Sequence, residues 1–77
     1  MDTIGQRLRS MRDRKLWTQA ELSEQSGVPV ITIWRIENEQ HSDRPRVSTV
    51  RKLAQALRVD AQWLMFGEDI EEGKIAA

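Results

Sequence analysis

The stretch GVPVITIWRIENE, Gly27–Glu39, decides how this chain is read. Val28, Val30, Ile31 and Ile33, with Thr32, have the composition of a strand, because β-branched residues favour extended backbone. A strand needs a pairing partner, and no other run in the chain qualifies. The helical reading fits better. Pro29 has no amide hydrogen to lose and a φ already near the helical value, which suits a first helical turn. On a helix Val28, Ile33 and Ile36 can face a core. Val30, Ile31, Trp34 and Arg35 then fall on another face. This short helix is expected to show Val, Ile and Trp on a side its own core does not cover.

The segments around it are also helical. Thr3 and Gln6 form a capping box that opens a first helix. Ile4, Leu8 and Met11 follow on one face, and the arginines between them are assigned to the other faces. That helix should end near Lys15. Thr18 and Glu21 form a second capping box for the short helix QAELSEQS, which Gly27 stops by adopting the left-handed conformation. Two turns are too few to be stable alone, so Ala20, Leu22 and Ser23 are expected to hold it to its neighbours. Residues 39–46, EQHSDRPR, read as a loop stiffened by Pro45. A fourth helix is expected from Val47 to Leu57, with Val47, Val50, Leu53, Ala54 and Leu57 inward. Asp60 caps a fifth, Ala61 to Phe66, which Gly67 ends. Trp17 and Trp63 are assigned to the core.

Seventy-seven residues make one small domain, expected over 1–67, with an acidic tail at 68–77 expected to fray. The chain has no Cys and one His, His41, so neither a thiolate metal site nor a disulfide framework is available. No apolar run approaches a membrane span, and nothing at the N-terminus resembles a signal peptide. The expectation is a cytoplasmic protein without cofactor, metal or small-molecule ligand. No nucleophile–base pair and no glycine-rich phosphate loop is present, which argues against an enzyme.

Net charge is zero, with 12 basic and 12 acidic residues, but the charges are grouped. Residues 1–18 sum to +3, 19–43 to −4, 44–58 to +5 and 59–77 to −4. Two basic blocks can make one positive face if the fold joins them.

The run TQAELSEQSGVPVITIWRIENE resembles the helix-turn-helix of the lambdoid phage repressor and Cro family, often called the XRE family. Thr18, Gln19, Glu21, Leu22, Ser23, Gly27, Val28, Ile33, Ile36 and Glu37 carry the likeness, which continues through RPRVSTVRKLAQALRVDAQWLMFGE. It implies an all-α, five-helix domain with the helix-turn-helix at the second and third helices. It also implies sequence-specific double-stranded DNA binding, a transcriptional regulator, expected to be a repressor, and a homodimer on a two-fold symmetric operator.

By that resemblance Val30, Ile31, Trp34 and Arg35 meet the major groove. Gln19, Thr32, Asn38 and Arg44 lie toward phosphate, and Arg46 toward phosphate or the minor groove. Arg12 and Glu37 are implied to form a structural ion pair. The family usually has Gly after helices 1, 3 and 4, where this chain has Leu16, Glu39 and Arg58. Ser26 replaces a usual apolar residue. The alternative is a protein-interaction module, such as an antitoxin, that uses the apolar face of the third helix.

Overall fold

The computed structural model describes residues 3–40 and 44–67. They form five helices: α1 (Ile4–Arg14), α2 (Gln19–Ser26), α3 (Val30–Glu37), α4 (Val47–Leu57) and α5 (Ala61–Phe66). No strand occurs among the described residues. The expected tail at 68–77 and His41 lie outside them.

Local chemistry sets the helix ends. Both capping boxes form. The Thr3 hydroxyl accepts from the Gln6 amide at 3.1 Å, and the Thr3 amide donates to the Gln6 side chain at 3.2 Å. The Thr18–Glu21 pair is tighter on the return, 2.7 Å from the Thr18 amide to the Glu21 carboxylate. Asp60 accepts from the amides of Gln62 and Trp63 and starts α5. Pro29 occupies the cap position before α3 rather than its first turn, and its carbonyl accepts from Thr32 and Ile33.

The turn between α2 and α3 is built by Gly27, at φ +80°, and by two serines. The Ser26 hydroxyl donates to the Leu22 carbonyl and accepts from the Val28 amide, and the Ser23 hydroxyl donates to the Val28 carbonyl. Ser26 therefore replaces apolar packing with hydrogen bonds that fix the angle of entry into α3.

The three missing glycines do not change the turns. Leu16, Glu39 and Arg58 adopt φ of +59°, +56° and +59°. In each case the next residue donates back to a carbonyl five positions earlier: Trp17 to Arg12, Gln40 to Arg35 and Val59 to Ala54. This is the closing bond of a Schellman turn, made here without the residue that makes it cheap.

One core joins the helices. Leu8, Leu22, Ile33, Ile36, Val50, Leu53 and Leu64 are fully buried, with Ile4, Val28, Ala54, Leu57 and Met65 around them. Trp17, Trp63 and Met11 pack against this core while only partly buried. Two expected core residues are not in it. Ala20 is exposed, and α2 is held instead by Leu22 and the serine bonds. Val47 is 59% exposed, because it is the first residue of α4 and that end projects past the core.

A third correction concerns α1. Arg7 was assigned to an outer face but is only 4% exposed. Its Nε donates to the Leu64 carbonyl at 3.0 Å and its Nη2 to the Met65 carbonyl at 3.1 Å. A cation placed on the last carbonyls of α5 satisfies them and opposes the negative end of that helix.

Candidate nucleic-acid interface

The two faces of α3 are differently finished. Ile33 and Ile36 are fully buried in the core where α3 packs on α1 and α2. Val30, Ile31 and Trp34 stay 45%, 50% and 45% exposed. The domain's own core does not cover them, so the outward apolar face expected from the sequence is present. Arg35 is exposed one turn beyond Ile31. Thr32 is half-buried on the side toward α4. A cleft between α3 and the start of α4 is lined by Thr32, Arg35, Ile36, Pro45, Arg46 and Thr49. It joins Arg35 and Arg46, which are far apart in sequence, on one basic rim.

A network behind α3 fixes its position. Arg12 Nε donates to Glu37 Oε2 at 2.7 Å and Nη2 to Oε1 at 2.8 Å, a bidentate pair. Arg12 Nη1 also donates to the Trp17 carbonyl at 2.8 Å. The side chains of Arg12 and Glu37 are 12% and 3% exposed. Hydrogen bonding to Glu37 holds the Arg12 guanidinium above its ordinary pKa, so the guanidinium stays charged. Gln19 Nε2 donates to the same Glu37 carboxylate at 3.1 Å. One carboxylate thus ties α1, α2 and α3 together.

The remaining site residues take different stations. Gln19 is the first residue of α2, and the bond to Glu37 leaves its backbone amide at the positive end of that helix. Asn38 caps the end of α3 and donates its side-chain amide to the Trp34 carbonyl at 2.9 Å. Arg44 and Arg46 are exposed on either side of Pro45. The Arg44 guanidinium lies 5.0 Å from the Phe66 ring centre, so α5 positions it.

Sequence reasoning missed two positioning residues in α1. Arg7 was missed because its charge suggested solvent, although it sits three residues after Ile4 and four before Met11, on their stripe. Gly5 was missed as well. A Cβ there would collide with the Ile36 carbonyl and the Glu39 side chain and lie 3.0 Å from the Glu37 carbonyl. Only glycine lets α1 come this close to the end of α3. A glycine inside a helix is otherwise unfavourable, and that was the available signal.

Among the described residues no group of His, Cys, Asp or Glu could hold a metal, and no helix is long and apolar enough to cross a membrane.

Comparison with known proteins places this geometry. The helix-turn-helix family model matches residues 8–64. The HTH-type transcriptional repressor RghR of Bacillus subtilis (strain 168) is 36% identical over 66 residues, covering 86% of this chain and 48% of that protein. The chain spans about half the length of the curated relatives it matches. The N-terminal DNA-binding domain of SinR from Bacillus subtilis is similar at TM-score 0.78 and 29% identity, covering 88% of this chain and 96% of that one. The P22 c2 repressor in complex with a synthetic operator is similar at TM-score 0.77 and 25% identity, covering 88% and 100%. The chain belongs to the helix-turn-helix family of phage-repressor type.

Proposed function

We propose that this helix-turn-helix protein binds double-stranded DNA sequence-specifically and represses transcription in the cytoplasm, as a homodimer on a two-fold symmetric operator. The observation that carries the reading is the finish of α3: an inner face fully packed, and an outer face half exposed that ends in Arg35. Its likeness to RghR, named a transcriptional repressor, and to an operator-bound repressor supports the same reading.

In this reading α3 lies in the major groove. Arg35 makes a bidentate pair with guanine, and Val30 and Ile31 pack on thymine methyl groups. Trp34 lies at the groove edge against sugar or methyl. The amide of Gln19 at the start of α2, with Thr32 and Asn38, holds phosphates. Arg44 and Arg46 grip the backbone beyond the cleft, and Arg46 is placed to reach a narrow minor groove. The Glu37 network keeps α2 and α3 in the relative pose that lets one hold phosphate while the other reads bases. One such head makes few base contacts, and two related by symmetry double them. The mechanism is binding, not catalysis.

The test is affinity for operator and random duplex at two salt concentrations. Each phosphate neutralised by a cation should cost about 3.5-fold between 50 and 200 mM salt. Arg35→Ala should lose about 1–3 kcal/mol on the operator and relax preference at one base position, whereas Arg46→Ala should weaken all duplexes more evenly. Operator preference left intact by Arg35→Ala would remove α3 from the groove. Salt-independent binding, with Trp34→Ala breaking a protein complex instead, would favour an interaction module.

A further inference from the structure

The ends of α1, α2 and α4 border a second cleft, of about 690 Å³, built from residues that the DNA reading does not use. Lys15 at the end of α1, Lys52 on α4 and Arg58 at the end of α4 bring three cations to its lining. No acid lines it, although the chain has as many acids as bases. Among the described residues none of the three cations has a carboxylate within ion-pair distance. Gln25 and Gln55 add side-chain amides and Trp17 an indole N–H, and none of these groups has a hydrogen-bond partner among the described residues. Helix C-termini attract cations, which accounts for Lys15 and Arg58 taken singly. It does not account for Lys52, inside α4, or for three cations gathered without an acid in one concavity, where their fields add.

We propose that this cleft binds a small oligophosphate and holds it between Lys15, Lys52 and Arg58. The lining selects the ligand class. Trp17 offers no stacking platform, because Lys15 Nζ lies over its ring at 5.2 Å from the centre and the side chain packs on the core. A nucleobase or other flat ring is therefore not what the cleft recognises. Charged and neutral donors from several elements suit a compact anion that offers many oxygens and one negative charge or more to each cation. The volume is in the range that holds small ligands. The site shares no residue with the outer face of α3 or with the α3–α4 cleft, so it stands or falls apart from the DNA reading.

The test titrates the full chain with inorganic triphosphate at low salt, where screening is weak. NMR follows the Trp17 indole N–H and the backbone amides. The expected result is a saturable shift of that indole signal and of the amides of residues 15–17 and 52–58, with those of 44–49 moving less. Lys52→Gln and Arg58→Gln should each raise the midpoint roughly fivefold, the upper end for one exposed ion pair. Arg46→Gln should leave the midpoint where it is. Equal movement at 44–49 would mean diffuse attraction to any exposed cation, and an unshifted midpoint in Lys52→Gln or Arg58→Gln would take the anion out of the cleft. Either result overturns the site. Random duplex DNA is the second probe, and Lys52→Gln should leave affinity for it nearly unchanged. A loss as large as that for triphosphate would make the cleft a track for DNA phosphate and overturn a separate small-anion site.

Discussion

Two arginines of α1 and the arginines around the α3–α4 cleft have opposite fates. Arg7 and Arg12 are turned inward. One holds the last carbonyls of α5 and the other a carboxylate of α3. Arg35, Arg44, Arg46 and Arg51 are turned outward. By sequence Arg7 and Arg12 belong to one basic block and Arg44, Arg46 and Arg51 to another, while Arg35 stands in an acidic stretch. The structure divides them. Two of the first block's five cations are spent on assembling the domain, whereas all five of the second are exposed. Net charge is thus a poor guide here: what matters is which cations keep their hydrogen-bonding capacity for an outside partner. The division predicts that changes at Arg7 and Arg12 act on stability and leave the folded protein's DNA preference alone. Changes at α3 and the loop should do the reverse.

The largest expected effect is at Arg7. Arg7→Met keeps most of the apolar stem but leaves two buried carbonyls at the end of α5 without their donor. We expect a loss of about 2–4 kcal/mol in urea unfolding, a large part of what a chain this size has. Below the lowered melting point, operator preference should be that of the parent. A variant that melts normally and binds DNA poorly would move Arg7 to the other group.

Glu37→Ala is expected to cost about 2–3 kcal/mol, because it strands the mostly buried Arg12 and frees Gln19 from its anchor. Combining it with Arg12→Met should recover part of that loss, since no unpaired charge is left inside. Melting curves of the two single variants and the double variant decide this. Equal stability of Glu37→Ala and its parent would show that the carboxylate is not holding the three helices.

How far the sequence could be read follows from the same division. The five helices were legible because their ends are written in local chemistry: Thr3 with Gln6, Thr18 with Glu21, Asp60, Gly27 and Gly67. The outer face of α3 was legible because Ile33 and Ile36 exhaust the core positions and leave Val30, Ile31 and Trp34 over. Arg7 and Gly5 were not, since both act through contacts with elements distant in sequence, α5 and the end of α3. Val47 was placed inside by periodicity alone, which does not say where a helix outruns its core. Leu16, Glu39 and Arg58 showed that the usual glycines were missing. They could not show that hydrogen bonds back to the preceding helix would hold the same turns.

A smaller effect tests the outward side. If Val30 and Ile31 pack on thymine methyls, replacing thymine by uracil at the contacted positions removes one buried methyl each time. The expected loss is about 0.8 kcal/mol, roughly fourfold in affinity. Ile31→Ala should erase the sensitivity at its own position and nowhere else, with stability nearly unchanged, because half of this side chain is already in solvent. Uniform indifference to uracil would leave the apolar face without a role in reading bases and would weaken the contrast with α1.

The smallest expected effect lies at a place that belongs to neither group. Leu16 joins α1 to α2 with φ +59° and is 88% exposed, so its side chain contributes almost no packing. The left-handed conformation costs a residue with a Cβ about 1–2 kcal/mol. Glycine escapes that cost but gives back about 0.5–1 kcal/mol through the greater freedom of its unfolded chain. Leu16→Gly should therefore stabilise by about 0.5 kcal/mol and raise the melting temperature by about 2–4 °C. Arg58 and Glu39 are less clean probes. Arg58 belongs to a cleft with Lys15 and Lys52, and Glu39 lies against Gly5. DNA binding by Leu16→Gly should match the parent at both salt concentrations, because the turn lies at the far end of α1 from the Arg7 contact and away from α3's outer face. A loss of stability would mean that the left-handed residue is held by something stronger than its three backbone bonds. A change in DNA affinity would mean that the Arg12–Glu37 network passes strain from this turn to the reading helix, and the separation of inward and outward arginines would then be incomplete.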